Sequence, residues 1–324
     1  PMDVLPPLRL GLLTCSRYCH TPPIWGPIIH PELAQDGSPL HLQTQVTRMR
    51  ITQVWDLDAV AARRLAAQYG ARAVTHYADM VGQVDAVILD DFDSCLHFPQ
   101  LARPYLETGM PMYINRPFAL SMSDAAELVA MARAHDAPIM SGSSFEYAPE
   151  VETVRRQVAA CDPIHGYAAA NSMSDYPTHG IHGLLLVHAC MGGGVRSVAY
   201  QTRDWREPNG LVTIEHDGRN GGKPFFGSVQ QIGGTWGWIR VFGTHSFEQS
   251  VGSGPYFWLP IVVAMQRMFE TRRMPQSYEC ILEKTAMFLA GFRSHLDAGG
   301  APVSLDRLGD WRAPLLNPDP YPDG

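Results

Sequence analysis

The sequence predicts an α/β protein: an N-terminal Rossmann-like, doubly wound parallel sheet, then a C-terminal α+β domain with an open, mostly antiparallel sheet. Up to about residue 145, short apolar runs alternate with amphipathic segments, as in parallel strands covered by helices on both faces. Beyond residue 150, aromatic and β-branched segments are separated by turn residues, as in an antiparallel meander. A length of 324 residues also favours two cores. We therefore predict domains over residues 1–145 and 146–324.

The N-terminal domain is predicted to contain strands separated by helices. The predicted strands are the apolar runs Leu8–Thr14, Arg50–Trp55, Asp85–Leu89, Met112–Ile114 and Pro138–Ser141. Apolar residues at helical spacing predict helices over Leu57–Tyr69, Leu96–Thr108 and Ser123–His135. The connection between the first two strands is longer than one helix requires, so we predict an insertion over about residues 21–47.

The C-terminal domain is predicted to open with one helix, Glu150–Ala160, and to continue as a meander. The predicted strands are Ile164–Ser172, Arg196–Arg203, Leu211–His216, Phe225–Ile232, Trp236–Phe242 and Ser246–Val251. Two closing helices follow, over about Trp258–Glu270 and Tyr278–Ala298.

Composition excludes several classes of function. The net charge of −7 disfavours a nucleic-acid partner, and no apolar run approaches the ~20 residues of a membrane span. The six cysteines form no pair of CxxC motifs, so we expect reduced thiols in a cytoplasmic protein. Lys223 and Lys284 are the sole lysines, which leaves few candidates for Schiff-base or lysine proton chemistry.

The order of elements and several motifs resemble the glucose–fructose oxidoreductase / inositol dehydrogenase (Gfo/Idh/MocA) family. The resemblance is carried by Val84–Leu89 with His97, Gly109–Ala119, Gly180–Gly194 and the segment Gly299–Val303. It implies NAD(P) in the first domain, with His97 among the cofactor-binding residues, and oxidation or reduction of a sugar- or polyol-like small molecule. It also implies a homodimer or homotetramer formed through the C-terminal sheet.

The phosphate-binding loop departs from the Rossmann pattern, because Thr14 to His20 contains no GxGxxG. Thr14, Ser16 and Arg17 are candidates to hold a phosphate by charge and hydrogen bonding instead. The insertion after this loop either covers the cofactor site or fills it.

An acidic residue follows the second predicted strand. Asp56 is a candidate to bind the adenosine ribose, which favours NAD over NADP. The alternative is that Asp56 or Asp58 caps the next helix.

Two further motifs carry the candidate catalytic groups. The Gfo/Idh/MocA family usually has Glu-Lys-Pro where this chain has Asn115-Arg116-Pro117. The resemblance therefore implies that Asn115 contacts the cofactor. Arg116 keeps the charge of that lysine but cannot exchange a proton, so we expect it to orient a substrate oxygen or stabilise an oxyanion. The alternative is an arginine that binds loop carbonyl groups before Pro117.

His182 aligns with the usual catalytic histidine and titrates nearest to neutral pH, so we predict that it is the general acid or base. Thr178 stands where the family has an aspartate that orients this histidine. His179 or Asp175 is predicted to take over that orienting role.

A metal is the rival use of these groups. His20, Glu146, His179 and His182 are a candidate ligand set for Zn²⁺ or Mn²⁺ in a protein that has given up the nucleotide. Three functions therefore stay open. The first is an NAD(H)-dependent oxidoreductase, the second a nucleotide-independent hydrolase or lyase on a carbohydrate-like substrate, and the third a non-catalytic binding protein.

Overall fold

The first sheet of the computed structural model is parallel throughout and follows the order β3-β2-β1-β4-β5-β6. The structure describes residues 6–14, 19–33, 48–90, 95–171, 174–218, 222–233, 237–254 and 256–315. The strands are β1 Leu8–Thr14, β2 Met49–Asp56, β3 Arg72–Ala73, β4 Ala86–Leu89, β5 Met112–Ile114 and β6 Ile139–Met140. This is the Rossmann strand order, in which β1 and β4 flank the point where the order reverses. The predicted fold of this half is confirmed.

Helices cover both faces of this sheet, as continuous apolar strands require. They are α1 Gly26–Ile29, α2 Ala59–Tyr69, α3 Phe98–Leu106 and α4 Met122–Ala134. Local sequence sets their ends: the side chain of Asp58 accepts a hydrogen bond from Val60 N at the start of α2, and Gly70 ends that helix in the left-handed conformation. The predicted insertion contributes part of this cover, because Trp25 and Ile28 pack with Leu10 and Leu12 of β1. Its remainder, residues 34–47, lies outside the described residues.

The second sheet has the order β12-β11-β7-β10-β9-β8-β13. Its strands are β7 Gly166–Asn171, β8 Val195–Gln201, β9 Gly210–His216, β10 Phe225–Gln231, β11 Gly237–Phe242, β12 Ser246–Val251 and β13 Val303–Ser304. The pair β7 and β10 is parallel and the other pairs are antiparallel, which confirms the open, mostly antiparallel sheet. The short strands β3 and β13 were not predicted, because two residues are too few to show a repeating pattern of apolar residues.

The remaining helices follow β6 along the chain. They are α5 Ser144–Tyr147, α6 Pro149–Ala160, α7 Ile181–Met191, α8 Leu259–Thr271 and α9 Tyr278–Asp297. Every residue of α7 is buried, so this helix is part of the core along its whole length. The predicted domain division at residues 145 and 146 stays a prediction. Within the described part of the chain, no helix has the length and apolar character that crossing a membrane requires.

A buried ion pair joins α9 to the end of the first sheet. The ammonium of Lys284 lies 2.6 Å from Glu146 Oε1 and donates to the carbonyl oxygen of Ser141 at 3.1 Å. The two side chains are only 4% and 9% exposed. Lys284, one of the two lysines, is thus a structural cation between β6, α5 and α9.

We expect Lys284→Met to lower the free energy of unfolding by about 3–5 kcal/mol, because Glu146 would remain buried without its counter-ion. Urea unfolding monitored by circular dichroism gives the value. Lys223→Met, at the exposed lysine, is the matched control and should change it by less than about 0.5 kcal/mol. Equal effects of the two substitutions would contradict the structural role.

Candidate active site

A buried arginine and a buried histidine meet where the two halves of the chain join. Arg116 is the second residue after β5, and His182 is the second residue of α7. Arg116 Nη2 lies 2.7 Å from His182 Nε2, and the two residues are 2% and 8% exposed. The structure therefore brings together the two residues to which the sequence assigns catalytic roles.

The contact fixes where the proton on His182 sits. A guanidinium can only donate, so His182 Nε2 accepts and Nδ1 carries the hydrogen. Nδ1 in turn donates to Ser143 Oγ at 2.5 Å. Burial, followed by the charges of Arg116, His179 and His20, lowers the pKa of His182 well below its ordinary value. His182 is therefore a neutral imidazole of defined tautomer at neutral pH.

Ser143 is the orienting partner that the sequence analysis missed. It caps α5, where its hydroxyl also accepts from Phe145 N, and Glu146 accepts from Ser143 N at 2.7 Å. The pattern Ser-x-x-Glu is a capping box that sequence reasoning could have found, although it gives no direction toward His182.

His179 and Asp175 lie in the turn before α7, whereas the two ring nitrogens of His182 contact Arg116 and Ser143. The half-exposed His179 has its Nδ1 within 2.7 Å of both Ser174 Oγ and Thr178 Oγ1, and 3.3 Å from Asp175 Oδ2. Asp175 accepts from Thr178 N and so begins the turn before α7. These two residues stabilise the entry to the helix, and the rings of His179 and His182 are 6.2 Å apart between centroids.

A second imidazole contacts the same guanidinium. His20 Nε2 lies 3.2 Å from Arg116 Nη2, and His20 Nδ1 lies 3.3 Å from Asn115 Nδ2. Burial and the charge of Arg116 lower the pKa of His20 well below its ordinary value. A neutral imidazole accepts at one nitrogen only, so one of these two donors faces the ring N–H.

The carboxylate of Asp90, also missed by the sequence analysis, closes this network at the end of β4. It is fully buried and accepts from Thr21 N at 2.5 Å, His20 N at 3.2 Å and Asn115 Nδ2 at 2.7 Å. Burial raises the pKa of Asp90 in spite of these donors. Asp90 thus connects the ends of β4 and β5 to the segment that begins the insertion.

The alternative metal site is not supported by the structure. The guanidinium of Arg116 contacts both His20 and His182, which places a cation where two ligands would have to converge. Glu146 is paired with Lys284, and His179 bonds to its own turn. Among the described residues, no three His, Cys, Asp or Glu side chains are arranged to hold a metal ion.

Two of the predicted cofactor-binding residues lie at the expected edge of the first sheet. Thr14 and Asp56 are register partners at the carboxyl ends of β1 and β2, and both are buried. Asp58 caps α2, so the capping role considered for Asp56 belongs to Asp58; Asp56 Oδ1 accepts from Asp58 N at 2.8 Å. Ser16 and Arg17 lie outside the described residues.

The other two predicted contacts take different positions. Asn115 is fully buried and donates to Asp90. His97 precedes α3 and lines a groove of about 510 Å³ together with Tyr77, Arg103 and Glu127.

These residues fit a dinucleotide at its adenosine end. A buried carboxylate at the end of β2 has the acceptor chemistry that a ribose diol needs. The N–H groups of His20 and Thr21 already donate to Asp90 and are therefore not available to a phosphate.

The strand order and the carboxylate at the end of β2 define a Rossmann-type dinucleotide-binding fold. Residues 34–143 match the family model GFO_IDH_MocA, described as an oxidoreductase family with an NAD-binding Rossmann fold. This match confirms, over that part of the chain, the resemblance to the Gfo/Idh/MocA family. No curated protein matches the sequence.

Solved structures share the whole architecture at low sequence identity. GenD2 from gentamicin A biosynthesis, in complex with NAD, is 18% identical with a TM-score of 0.69, over 93% of this chain and 97% of that chain. Myo-inositol dehydrogenase from Lactobacillus casei, in complex with NAD(H) and myo-inositol, is 13% identical with a TM-score of 0.71, over 92% and 96%. An oxidoreductase from Agrobacterium radiobacter, in complex with NAD⁺, L-tartaric acid and magnesium, is 16% identical with a TM-score of 0.69, over 92% and 98%. At these identities the likeness establishes the fold.

We expect the lowered pKa of His182 to make stability fall in mild acid. Between the ordinary histidine pKa of about 6.5 and the lower folded value, the unfolded chain binds a proton that the folded chain does not. Below pH 6.5 the wild type should therefore lose up to about 1.4 kcal/mol per pH unit more than His182→Gln. Urea unfolding at a series of pH values measures the difference.

His245→Gln, at an exposed histidine, is the control and should follow the wild-type curve. Parallel curves for the wild type and His182→Gln would contradict the neutral, buried imidazole.

Proposed function

We propose that the protein is an oxidoreductase that transfers hydride between NAD(H) and a sugar- or polyol-like small molecule. In this proposal His182 is the acid/base and Arg116 holds the reacting oxygen. The single observation that carries it is the 2.7 Å contact between Arg116 Nη2 and His182 Nε2. The family match over residues 34–143 and the Rossmann strand order support the redox class. The myo-inositol in the Lactobacillus casei complex supports the substrate class.

The geometry suits the removal of a hydroxyl proton. A substrate hydroxyl that replaces the direct contact would accept a hydrogen bond from Arg116 Nη2 and donate its proton to His182 Nε2. A nitrogen–nitrogen distance of 2.7 Å leaves no room for an oxygen between them, so substrate binding has to move the two side chains apart. Arg116 cannot take the proton, since a guanidinium stays charged at neutral pH.

His182 also returns the proton in the reverse direction. Once protonated, it lies in a buried site beside the Arg116 cation, which disfavours its charge. Proton release to a developing alkoxide is therefore favourable. Ser143 keeps Nε2 pointed at Arg116 throughout, because the hydrogen bond from Nδ1 holds the ring.

NAD(H), when bound, would supply the hydride acceptor or donor. Thr14 and Asp56 would hold its adenosine end, and the carboxylate of Asp56 favours NAD over NADP, whose 2′-phosphate is negative. Asn115 contributes by holding Asp90 and the peptide N–H of Arg116 in place.

The proposed function also includes the oligomeric state of the protein and its location in the cell. The outer face of the second sheet exposes Phe226 by 61% and Phe242 by 40%, which supports a homodimer or homotetramer formed through that sheet. Light scattering of the protein as it elutes from a size-exclusion column measures the molar mass, which distinguishes a monomer from a dimer or a tetramer. A cytoplasmic location agrees with the thiol of Cys190, which is buried and not in a disulfide.

A nucleotide-independent hydrolase or lyase on a carbohydrate-like substrate is the second candidate. The observation that favours it is the buried carboxylate of Asp90, which takes two N–H groups next to the phosphate loop. Turnover of a glycoside or polyol by protein stripped of nucleotide would support it over the redox function.

We expect the redox function to depend steeply on His182. NADH should bind at millimolar concentration or below, as measured by its fluorescence, and one member of a panel of polyols and sugars should reduce NAD⁺. His182→Gln should lower kcat about 10²–10⁴-fold, because it removes the proton acceptor, while NADH affinity stays within about threefold.

Ser143→Ala should lower kcat less than His182→Gln does, because the imidazole of His182 remains as the proton acceptor and loses only the hydrogen bond that orients it. His245→Gln is the control for a remote histidine. Absence of NADH binding would overturn the redox assignment. An unchanged kcat in His182→Gln would overturn the role of the histidine.

A further inference from the structure

Two amide side chains lie side by side at one edge of the second sheet. The strands β7 and β10 are parallel neighbours, so their carboxyl ends reach the same edge. Asn171 is the last residue of β7, Gln231 is the last residue of β10, and the two are register partners. Both side chains are fully buried. An antiparallel pairing of these strands would have placed the two amides at opposite edges.

Both amides donate to main-chain carbonyl groups where α7 begins. Asn171 Nδ2 donates to the carbonyl oxygen of His179 at 3.1 Å, and Gln231 Nε2 donates to the carbonyl oxygen of Gly180 at 2.8 Å. A carbonyl oxygen can only accept, so the nitrogen of each amide faces the helix. Gly180 is the N-cap residue of α7, two positions before His182. Two consecutive peptide groups close to His182 are therefore bonded to the second sheet.

Two glycines allow α7 to approach these amides closely. A Cβ atom at Gly180 would lie 2.8 Å from Gln231 Nε2, which is shorter than van der Waals contact. A Cβ atom at Gly183 would overlap Asn171 Oδ1. A larger residue at either position would displace the amide beside it. The first turn of α7 is thus packed directly against both amides.

The ring of His182 is held by a different set of contacts. Arg116 Nη2 lies 2.7 Å from Nε2, and Ser143 Oγ lies 2.5 Å from Nδ1. These two contacts act on the ring, whereas the amides of β7 and β10 act on the main chain that carries it. A shift of this main chain by about 1 Å would be enough to misplace the reacting nitrogen. The position of Nε2 therefore depends on both sets of contacts.

We propose that Asn171 and Gln231 are positioning residues for His182, which hold the first turn of α7 so that Nε2 stays against Arg116. They touch no reacting atom and act through the peptide groups at positions 179 and 180. The effect on kcat rests on the acid/base role proposed for His182. The effect on the ring itself does not depend on that role.

Gln231→Met removes the amide donor and keeps the length of the side chain. Long-range ¹H–¹⁵N correlation spectra at neutral pH should then show both neutral tautomers of His182 in place of one, because Nε2 is no longer held as the acceptor of Arg116. With a polyol that reduces NAD⁺, kcat should fall at least ~10-fold, while NADH affinity stays within about threefold. Asn171→Leu should have the same effects.

Gln68→Met, at an exposed glutamine of α2, is the matched control and should change neither the spectrum nor kcat. Gln231→Asn keeps an amide that is too short to reach Gly180, and it replaces Gln231→Met if that variant does not fold.

A folded Gln231 variant in which His182 keeps the single wild-type tautomer would overturn the proposal, and so would a wild type that already shows both tautomers. Unfolding of both Gln231 variants would overturn it as well, because the amide would then serve the fold alone. A changed tautomer with an unchanged kcat would instead remove the acid/base role of His182. If the wild type reduces NAD⁺ with none of the polyols, the spectra decide the positioning role by themselves.

Discussion

A guanidinium held against a neutral imidazole organises the centre of this molecule. Arg116 is almost fully buried, and burial lowers its pKa to about 10, so the guanidinium stays charged at neutral pH at a substantial cost in desolvation. Burial, together with that charge, lowers the pKa of both His182 and His20 and keeps the two rings neutral. The guanidinium also determines which nitrogen of His182 carries a hydrogen, because an arginine can only donate. The acid/base chemistry proposed for the site follows from this one contact.

The contact is possible because several chain segments end at the same place. Arg116 comes from the carboxyl end of β5, Asp90 from the end of β4, and His182 from the start of a fully buried helix. Ser143 is fixed by a capping box, so its hydroxyl is held in position by the turn that contains it. A network that runs from Asp90 through Asn115 and Arg116 to His182 and Ser143 therefore couples the Rossmann-type sheet to α7. Networks of this kind are sensitive to the loss of one member, since the remaining buried groups lose partners.

The sequence was sufficient to predict the fold and the two central residues. The continuous apolar strand Ala86–Leu89 indicates a sheet that is covered on both faces, and the alternating strand Ser246–Val251 indicates a sheet with one buried face. The pattern is informative because the period of the apolar residues reflects which faces are buried. Arg116 and His182 could be paired because the motifs around them resemble one family, and that resemblance implied that both residues act on the substrate. Their distance and the tautomer required coordinates.

The partners were beyond the sequence for physical reasons. The amino-acid sequence does not show that Asp90 is fully buried or that it accepts hydrogen bonds from His20 and Thr21, since these bonds join residues about seventy positions apart. The metal hypothesis failed because residue type does not reveal that a cation from Arg116 already lies against His20 and His182.

The protonation state of His182 tests this account most directly. Long-range ¹H–¹⁵N correlation spectra of uniformly labelled protein at neutral pH distinguish the two neutral tautomers and the imidazolium, with His182→Gln used to assign the signals. The account predicts an unprotonated Nε2 and a hydrogen on Nδ1. A hydrogen on Nε2, in either a neutral or a charged ring, would contradict it, because the guanidinium of Arg116 would then face a donor.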